Sequence, residues 1–137
     1  NHLDDIPREF HAAHMPYFYG IDVSYNRFES FPFEPFDCSS LTMFAIRGQR
    51  NVKGERCLKE WPVGVYNHTG LRALYMGSND LGKIDDTISY LIYYLDISDN
   101  PNIVFDASEV CYNWMNGTYF LLYDKTQDIR GCDAMLN

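Results

Sequence analysis

No stretch of this chain approaches the roughly 18 consecutive apolar residues of a membrane-crossing helix, and the densest segment, Ile88 to Ile97, is too short to span a bilayer. The sequence opens on Asn1 with no basic and apolar leader, so any signal peptide is expected either to have been removed already or to lie outside this sequence. No Cys-x-x-Cys pair occurs among the four cysteines, which argues against redox and zinc roles. Ser39, Ser40 and Ser78 lack a Gly-x-Ser-x-Gly setting, and His68 sits inside a sequon. Positive charge is scarce, with 11 Lys and Arg against 19 Asp and Glu and a net charge of −8. That balance repels phosphate backbones and anionic lipid, so no nucleic-acid or membrane partner is expected. Neither an internal repeat nor a low-complexity segment is apparent, and no helical patterns alternate with the strands.

What is abundant is aromatic. Hydrophobic residues make up 46% of the chain and aromatics 16%, with 11 Tyr and 9 Phe, a composition that favours sheet over helix. At 137 residues the chain fits one domain with a substantial core, here divided into an N-terminal segment, 1–38, and a run of strands, 39–137. Within 1–15, Asp4, Asp5 and Pro7 read as a helix start, and Ile6, Phe10 and Ala13 share one face. From Pro16 to Cys38 proline alternates with aromatic rings, which rules out a central strand and predicts an extended segment with an edge strand near Ile21 to Arg27. Strands are then expected at Leu41–Gly48, Cys57–Tyr66 with an interruption at Trp61-Pro62, Leu71–Met76, Thr87–Ile97, Ile103–Phe105, Val110–Met115 and Gly117–Asp124. Between them lie polar turns at Gln49–Glu55 and Ser98–Asn102 and an acidic loop at Gly77–Asp86. Asn116-Gly117 between two aromatic-rich segments signals a type I′ hairpin, with Cys111 and Cys132 outside its two limbs. Short, evenly spaced strands after one helix predict a mainly β fold, an antiparallel β-barrel or sandwich, with the barrel preferred because its closed edges and interior suit the many aromatics.

The two sequons, Asn67-His68-Thr69 and Asn116-Gly117-Thr118, together with four cysteines, point to a secreted glycoprotein made in an oxidising compartment. His11-Ala12-Ala13-His14 has metal-like spacing, but no third ligand accompanies it, and a solvated helix end explains it as well. Asp85-Asp86 reads as a solvated turn. No catalytic residue, metal or cofactor is expected.

The order of elements resembles the salivary lipocalins of ticks. The likeness is carried by Glu55-Arg56-Cys57-Leu58 opening a strand, by Cys111, by the Tyr119-Phe120-Leu121-Leu122 strand, and by Asp128-Ile129-Arg130-Gly131-Cys132 after it. It covers roughly the last 100 residues as a pattern and about 25 as residues, and the Pro-rich region up to Cys38 departs from it. Of the three connectivities that four cysteines allow, the resemblance implies Cys111 to Cys132, leaving Cys38 to Cys57. It also implies sequestration of a small hydrophobic or cationic ligand, such as a biogenic amine, an eicosanoid or a sterol. Phe44, Trp61, Tyr75, Tyr90, Tyr94 and Trp114 would supply walls, and Glu60, Asp106 or Glu109 an anion for an amine. The same aromatics could simply fill the barrel. Two other classes stay open: a secreted immune modulator or viral envelope ectodomain engaging a host immune protein through the Pro16 to Phe36 aromatic surface, and a secreted hydrolase built on His11, His14 and nearby acids.

Overall fold

The structure, a computed structural model, describes residues 2–5, 19–31, 41–62, 71–84, 92–106 and 120–130. Eight strands of two or three residues form two sheets: β1 (Gly20–Asp22), β2 (Met43–Ala45), β3 (Ala73–Tyr75), β4 (Lys83–Ile84), β5 (Tyr94–Asp96), β6 (Val104–Asp106), β7 (Phe120–Leu122) and β8 (Asp128–Arg130). A five-stranded sheet runs β1-β2-β3-β5-β7 and a three-stranded sheet runs β4-β6-β8. Every pairing in both is parallel. Parallel neighbours need long crossovers, and β4, β6 and β8 of the second sheet follow β3, β5 and β7 of the first in chain order. The chain is therefore a stack of coils.

One register runs through the stack: Ile21, Phe44, Leu74, Leu95 and Leu121 lie side by side on successive strands. Each points inward, as does the apolar residue two places on, because side chains alternate faces along a strand. Phe44, Ile46, Leu74, Met76, Leu95 and Ile97 are consequently sealed from solvent at 0 to 1% exposure. Leu41, Leu71 and Ile92 enter the same core three residues earlier, and Leu58, Leu81, Ile103 and Phe105 close it from the return segments.

Three residues after the second inward position comes a buried amide: Asn26, Gln49, Asn79 and Asn100, with Gln127 one residue later in the last coil. These side chains bind the coils together. Gln49 donates through Nε2 to Val23 O at 3.0 Å, Asn79 through Nδ2 to Ile46 O at 2.9 Å, Asn100 to Met76 O at 3.0 Å and Gln127 to Ile97 O at 2.7 Å. Each acceptor belongs to the preceding coil. In return the side-chain oxygens of Gln49, Asn79 and Asn100 accept from Phe28 N, Gln49 N and Leu81 N of the preceding coil. Backbone polar groups deep in a short-stranded stack would otherwise lack partners.

The residue before the ladder amide has left-handed backbone in four coils: Tyr25 at φ 60°, Gly48 at 62°, Ser78 at 60° and Asp99 at 51°. This turns the chain out of the sheet. Gly48 needs its missing Cβ twice over, since one added there would lie 2.6 Å from Tyr25 Cδ1. Gly48→Ala is expected to destabilise the fold by about 1–2 kcal/mol from the backbone alone, read as a lower urea midpoint at unchanged slope.

Several sequence expectations are corrected here. The antiparallel barrel is replaced by parallel sheets whose outermost strands, β1 and β7, are not joined to each other. An internal repeat does exist, Leu71-x-x-Leu74-x-Met76-x-x-Asn79-x-Leu81 being its fullest copy. It escapes notice because its ladder residues are 23, 30, 21 and 27 residues apart and its apolar positions exchange Leu for Phe, Ile, Met or Tyr. The expected N-terminal helix mostly falls outside the described residues, which contain no helix; Leu3 instead accepts from Arg27 N at 2.7 Å. The acidic loop 77–86 contains β4, and of Thr87 to Ile97 only Tyr94–Asp96 is described as strand. The hairpin turn at Asn116-Gly117 lies outside the described residues, and its second limb contributes β7, paired in parallel with β5.

Candidate functional site

Because one side chain of each strand points inward, its neighbours form the outer face of the five-stranded sheet. Tyr75, Tyr94 and Phe120 come from three adjacent strands, which a parallel sheet holds about 4.8 Å apart. Their rings form a continuous row: Tyr75 and Tyr94 centroids lie 5.1 Å apart at 43°, and Tyr94 and Phe120 6.1 Å apart at 36°. Phe120 is 64% exposed and Leu122 beside it 44%.

Arg47 bounds the row at its other end. Its guanidinium carbon sits 4.3 Å from the Tyr75 ring centroid, and Nε lies 3.5 Å from Asp96 Oδ2. Asp96 is buried even though it belongs to the outer face, and it is held there by Ser98, whose N and Oγ both donate to Oδ1, at 3.0 and 2.7 Å. Gly77 makes the space, since a Cβ there would lie 3.1 Å from Asp96 Oδ1. The face thus offers apolar rings with one held cation and one held anion. Such a surface suits an extended polypeptide and cannot enclose a small molecule.

A second polar cluster stiffens the turns beside this face. Arg50 donates to Ser78 O at 2.6 Å, and Arg56 donates to Asn79 O, Asp99 O and Asp99 Oδ1 at 2.7, 2.6 and 2.7 Å. The hydrogen bond from Arg56 holds the Asp99 carboxyl below its ordinary range, helped by one from Ser78 and by the nearby arginine charges. A carboxyl lowered on folding adds stability above its unfolded titration range and loses it as pH falls through the lower folded value. The stability difference between the protein and Asp99→Asn, measured by urea unfolding, is therefore expected at neutral pH and should vanish well below pH ~3.9. Asn tolerates the left-handed backbone at this position, so the comparison isolates the charge.

The sequence-predicted site residues are dispersed. Tyr75 and Tyr94 meet on the outer face. Phe44 is in the core against Phe31, with centroids 5.0 Å apart. Trp61 is half-buried against that core. Glu60 is exposed beside a shallow cleft of about 360 Å³ also lined by Glu29, Arg56 and Lys59. Asp106 ends β6 in the other sheet, in register with Arg130. Cys57 is a free buried thiol whose Sγ–H donates to Phe28 O at 3.4 Å, and Cys38, its expected bridge partner, lies outside the described residues. Burial, with Glu29 adding to it and Arg50 opposing, pushes its pKa up and keeps it protonated. Tyr90, Glu109, Trp114, His11, His14, Cys38, Cys111, Cys132, Asn67 and Asn116 lie outside the described residues. Among the described residues no three His, Cys, Asp or Glu side chains converge as metal ligands, and no helix is long and apolar enough to cross a membrane. Sequence reasoning missed Arg47, Asp96, Phe120 and Leu122. Their signal was the alternation around Phe44, Leu95 and Leu121, legible only once a shared register is known.

No family model and no curated protein matches the chain. Solved structures do, and two of them are of leucine-rich repeat proteins. One, from Bacteroides thetaiotaomicron, is 48% identical with a TM-score of 0.91 over 98% of this chain and 16% of its own. The other, from Bacteroides eggerthii, is 49% identical with a TM-score of 0.89 over 98% of this chain and 22% of its own. The chain spans less than a quarter of either. These likenesses overturn the lipocalin resemblance: the stacked parallel coils share the fold of the matched parts of those leucine-rich repeat proteins.

Proposed function

We propose that this leucine-rich-repeat segment is a protein-interaction module that binds an extended part of a partner protein across the outer face of its five-stranded sheet, without turnover. The observation that carries this reading is the ring row Tyr75, Tyr94 and Phe120, bordered by Arg47 and ending in exposed Phe120 and Leu122. Aromatic and arginine side chains on a preorganised backbone are the groups that anchor protein interfaces. The similarity to solved leucine-rich repeat proteins supports the same reading. Sequestration of a small ligand in a barrel is withdrawn, because the sheet is open and the core is filled by Phe44, Leu74 and Leu95. The expected binding surface also moves: Phe28 and Phe31, read as part of an exposed N-terminal patch, are 1% and 0% exposed and belong to the core.

The test is site-specific photo-crosslinking in the protein's native milieu, with the probe at Leu122 on the face or at Val52, which is 77% exposed on a turn. Adducts of a discrete mass should form from position 122 and not from 52, and Phe120→Asp should remove them without lowering the unfolding midpoint. Equal crosslinking from both positions would refute the proposal.

A further inference from the structure

We infer that the extended segment of the partner carries an acidic side chain, Asp or Glu, that docks on the guanidinium of Arg47, with apolar side chains at alternate positions after it lying along Tyr94, Phe120 and Leu122. The inference rests on the outer-face reading given above and names the partner chemistry that this face selects.

Arg47 follows β2, and its side chain crosses the face: the guanidinium carbon lies 4.3 Å from the ring centroid of Tyr75 on β3, and Nε lies 3.5 Å from Asp96 Oδ2 on β5. These two contacts fix the plane and the direction of the group before any partner arrives. They occupy one face and one edge of it. Among the described residues the terminal nitrogens Nη1 and Nη2 donate to no acceptor, and the side chain keeps 32% of its surface open. Asp96 leaves the cation underused, since Ser98 N and Oγ already donate to its Oδ1 and the contact from Arg47 to Oδ2 is long for a hydrogen bond. A planar pair of N–H groups held side by side matches the two oxygens of a carboxylate, whereas a backbone carbonyl would engage it through one oxygen only.

The surrounding charges place the acid at this position. Asp22 is exposed on β1 and Asp124 is exposed beyond β7, so an acidic side chain near either end of the sheet would meet a like charge. Arg72, just before β3, is engaged elsewhere: its Nη1 donates to Leu71 O, and its guanidinium carbon lies 5.6 Å from the Tyr93 ring centroid. Spacing then sets the order of residues along the partner. The rings of Tyr75, Tyr94 and Phe120 follow one another at 5.1 and 6.1 Å, and side chains on one face of an extended chain recur about every 6.6 Å. With an acid on Arg47, the second residue beyond it reaches Tyr94, and the fourth reaches the exposed Phe120 and Leu122.

The experiment selects binders to the intact protein from a displayed library of random linear peptides and keeps those that Phe120→Ala weakens, a change that removes the ring without adding charge. The retained peptides are expected to carry an Asp or Glu two residues before an apolar one. Replacing that acid by its amide in the synthetic peptide should weaken binding about tenfold, Arg47→Gln should weaken it as much, and the two changes together should cost no more than either alone. The peptide substitution leaves the protein untouched, so its effect cannot come from a loosened Arg47 variant. Phe120-dependent peptides without an acid, or losses that simply add, would overturn this inference and leave the outer-face reading standing. A selection that yields no Phe120-dependent peptide would overturn that reading and this inference with it.

Discussion

Replacing Asn79 by Asp is expected to destabilise the protein by about 3–5 kcal/mol at neutral pH, the range seen when a buried charge is left without its partner. Asn79 is fully buried; its Nδ2 donates to Ile46 O at 2.9 Å and Met76 O at 3.1 Å, while its Oδ1 accepts from Gln49 N at 2.9 Å. The substitution keeps the shape and the acceptor but turns the donor into an oxygen facing carbonyl oxygens. Burial raises the pKa of the new carboxyl, so the penalty shrinks as pH falls through its folded value and the group becomes neutral. Asn79→Ala should be milder, at about 2–3 kcal/mol, because it strands polar groups without adding charge. Asn26→Ala should be milder still, since the Asn26 amide donates to Val23 O and Ser24 O of its own coil. Urea unfolding of the three variants checks the order. A midpoint for Asn79→Asp that matches the parent would show that the ladder contributes little to joining the coils.

Phe44→Ala carries the other large expected effect, about 3–5 kcal/mol, through the transfer and cavity terms of deleting a sealed ring. Phe44 is 0% exposed on β2, and its ring is 5.0 Å from Phe31, which stacks edge-on to Phe28 at 5.3 Å and 77°. This three-ring strut joins the first return segment to the middle of the sheet. Its loss leaves a gap that a parallel sheet, tied on both sides, closes only in part. Phe44→Leu retains most of the volume and should lose no more than about 1.5 kcal/mol. Thermal or urea unfolding gives both values, and equal losses in the two variants would mean that the site collapses freely around the deletion.

Much of the local structure was legible. The expected strands at Leu41–Gly48, Leu71–Met76 and Ile103–Phe105 contain β2, β3 and part of β6, the segment expected at Gly117–Asp124 contains β7, and the edge strand expected near Ile21 to Arg27 overlaps the last two residues of β1. Alternation of apolar and polar residues carries that information, because each inward residue must meet the core whatever lies beside it. Direction of pairing is not encoded in this way. Leu74 reads the same whether its neighbour runs parallel or antiparallel, and three-residue strands are too short to show the continuous apolar runs that mark long parallel ones. Asn79 and Asn100 looked like turn residues, since a buried amide bonded to the previous coil and a solvated turn amide have the same sequence signature. The candidate site shares that fate: the sequence offers Tyr75 and Tyr94 as walls of a ligand cavity, but nothing local says that their rings lie 5.1 Å apart on an outer face or that Arg47, 28 residues before Tyr75, covers one of them. The sequence by itself determined where the chain alternates and which residues are apolar enough to be buried. Only the tertiary structure decided that successive strands lie parallel and in register, because that choice rests on carbonyl–amide bonds between coils 21 to 30 residues apart.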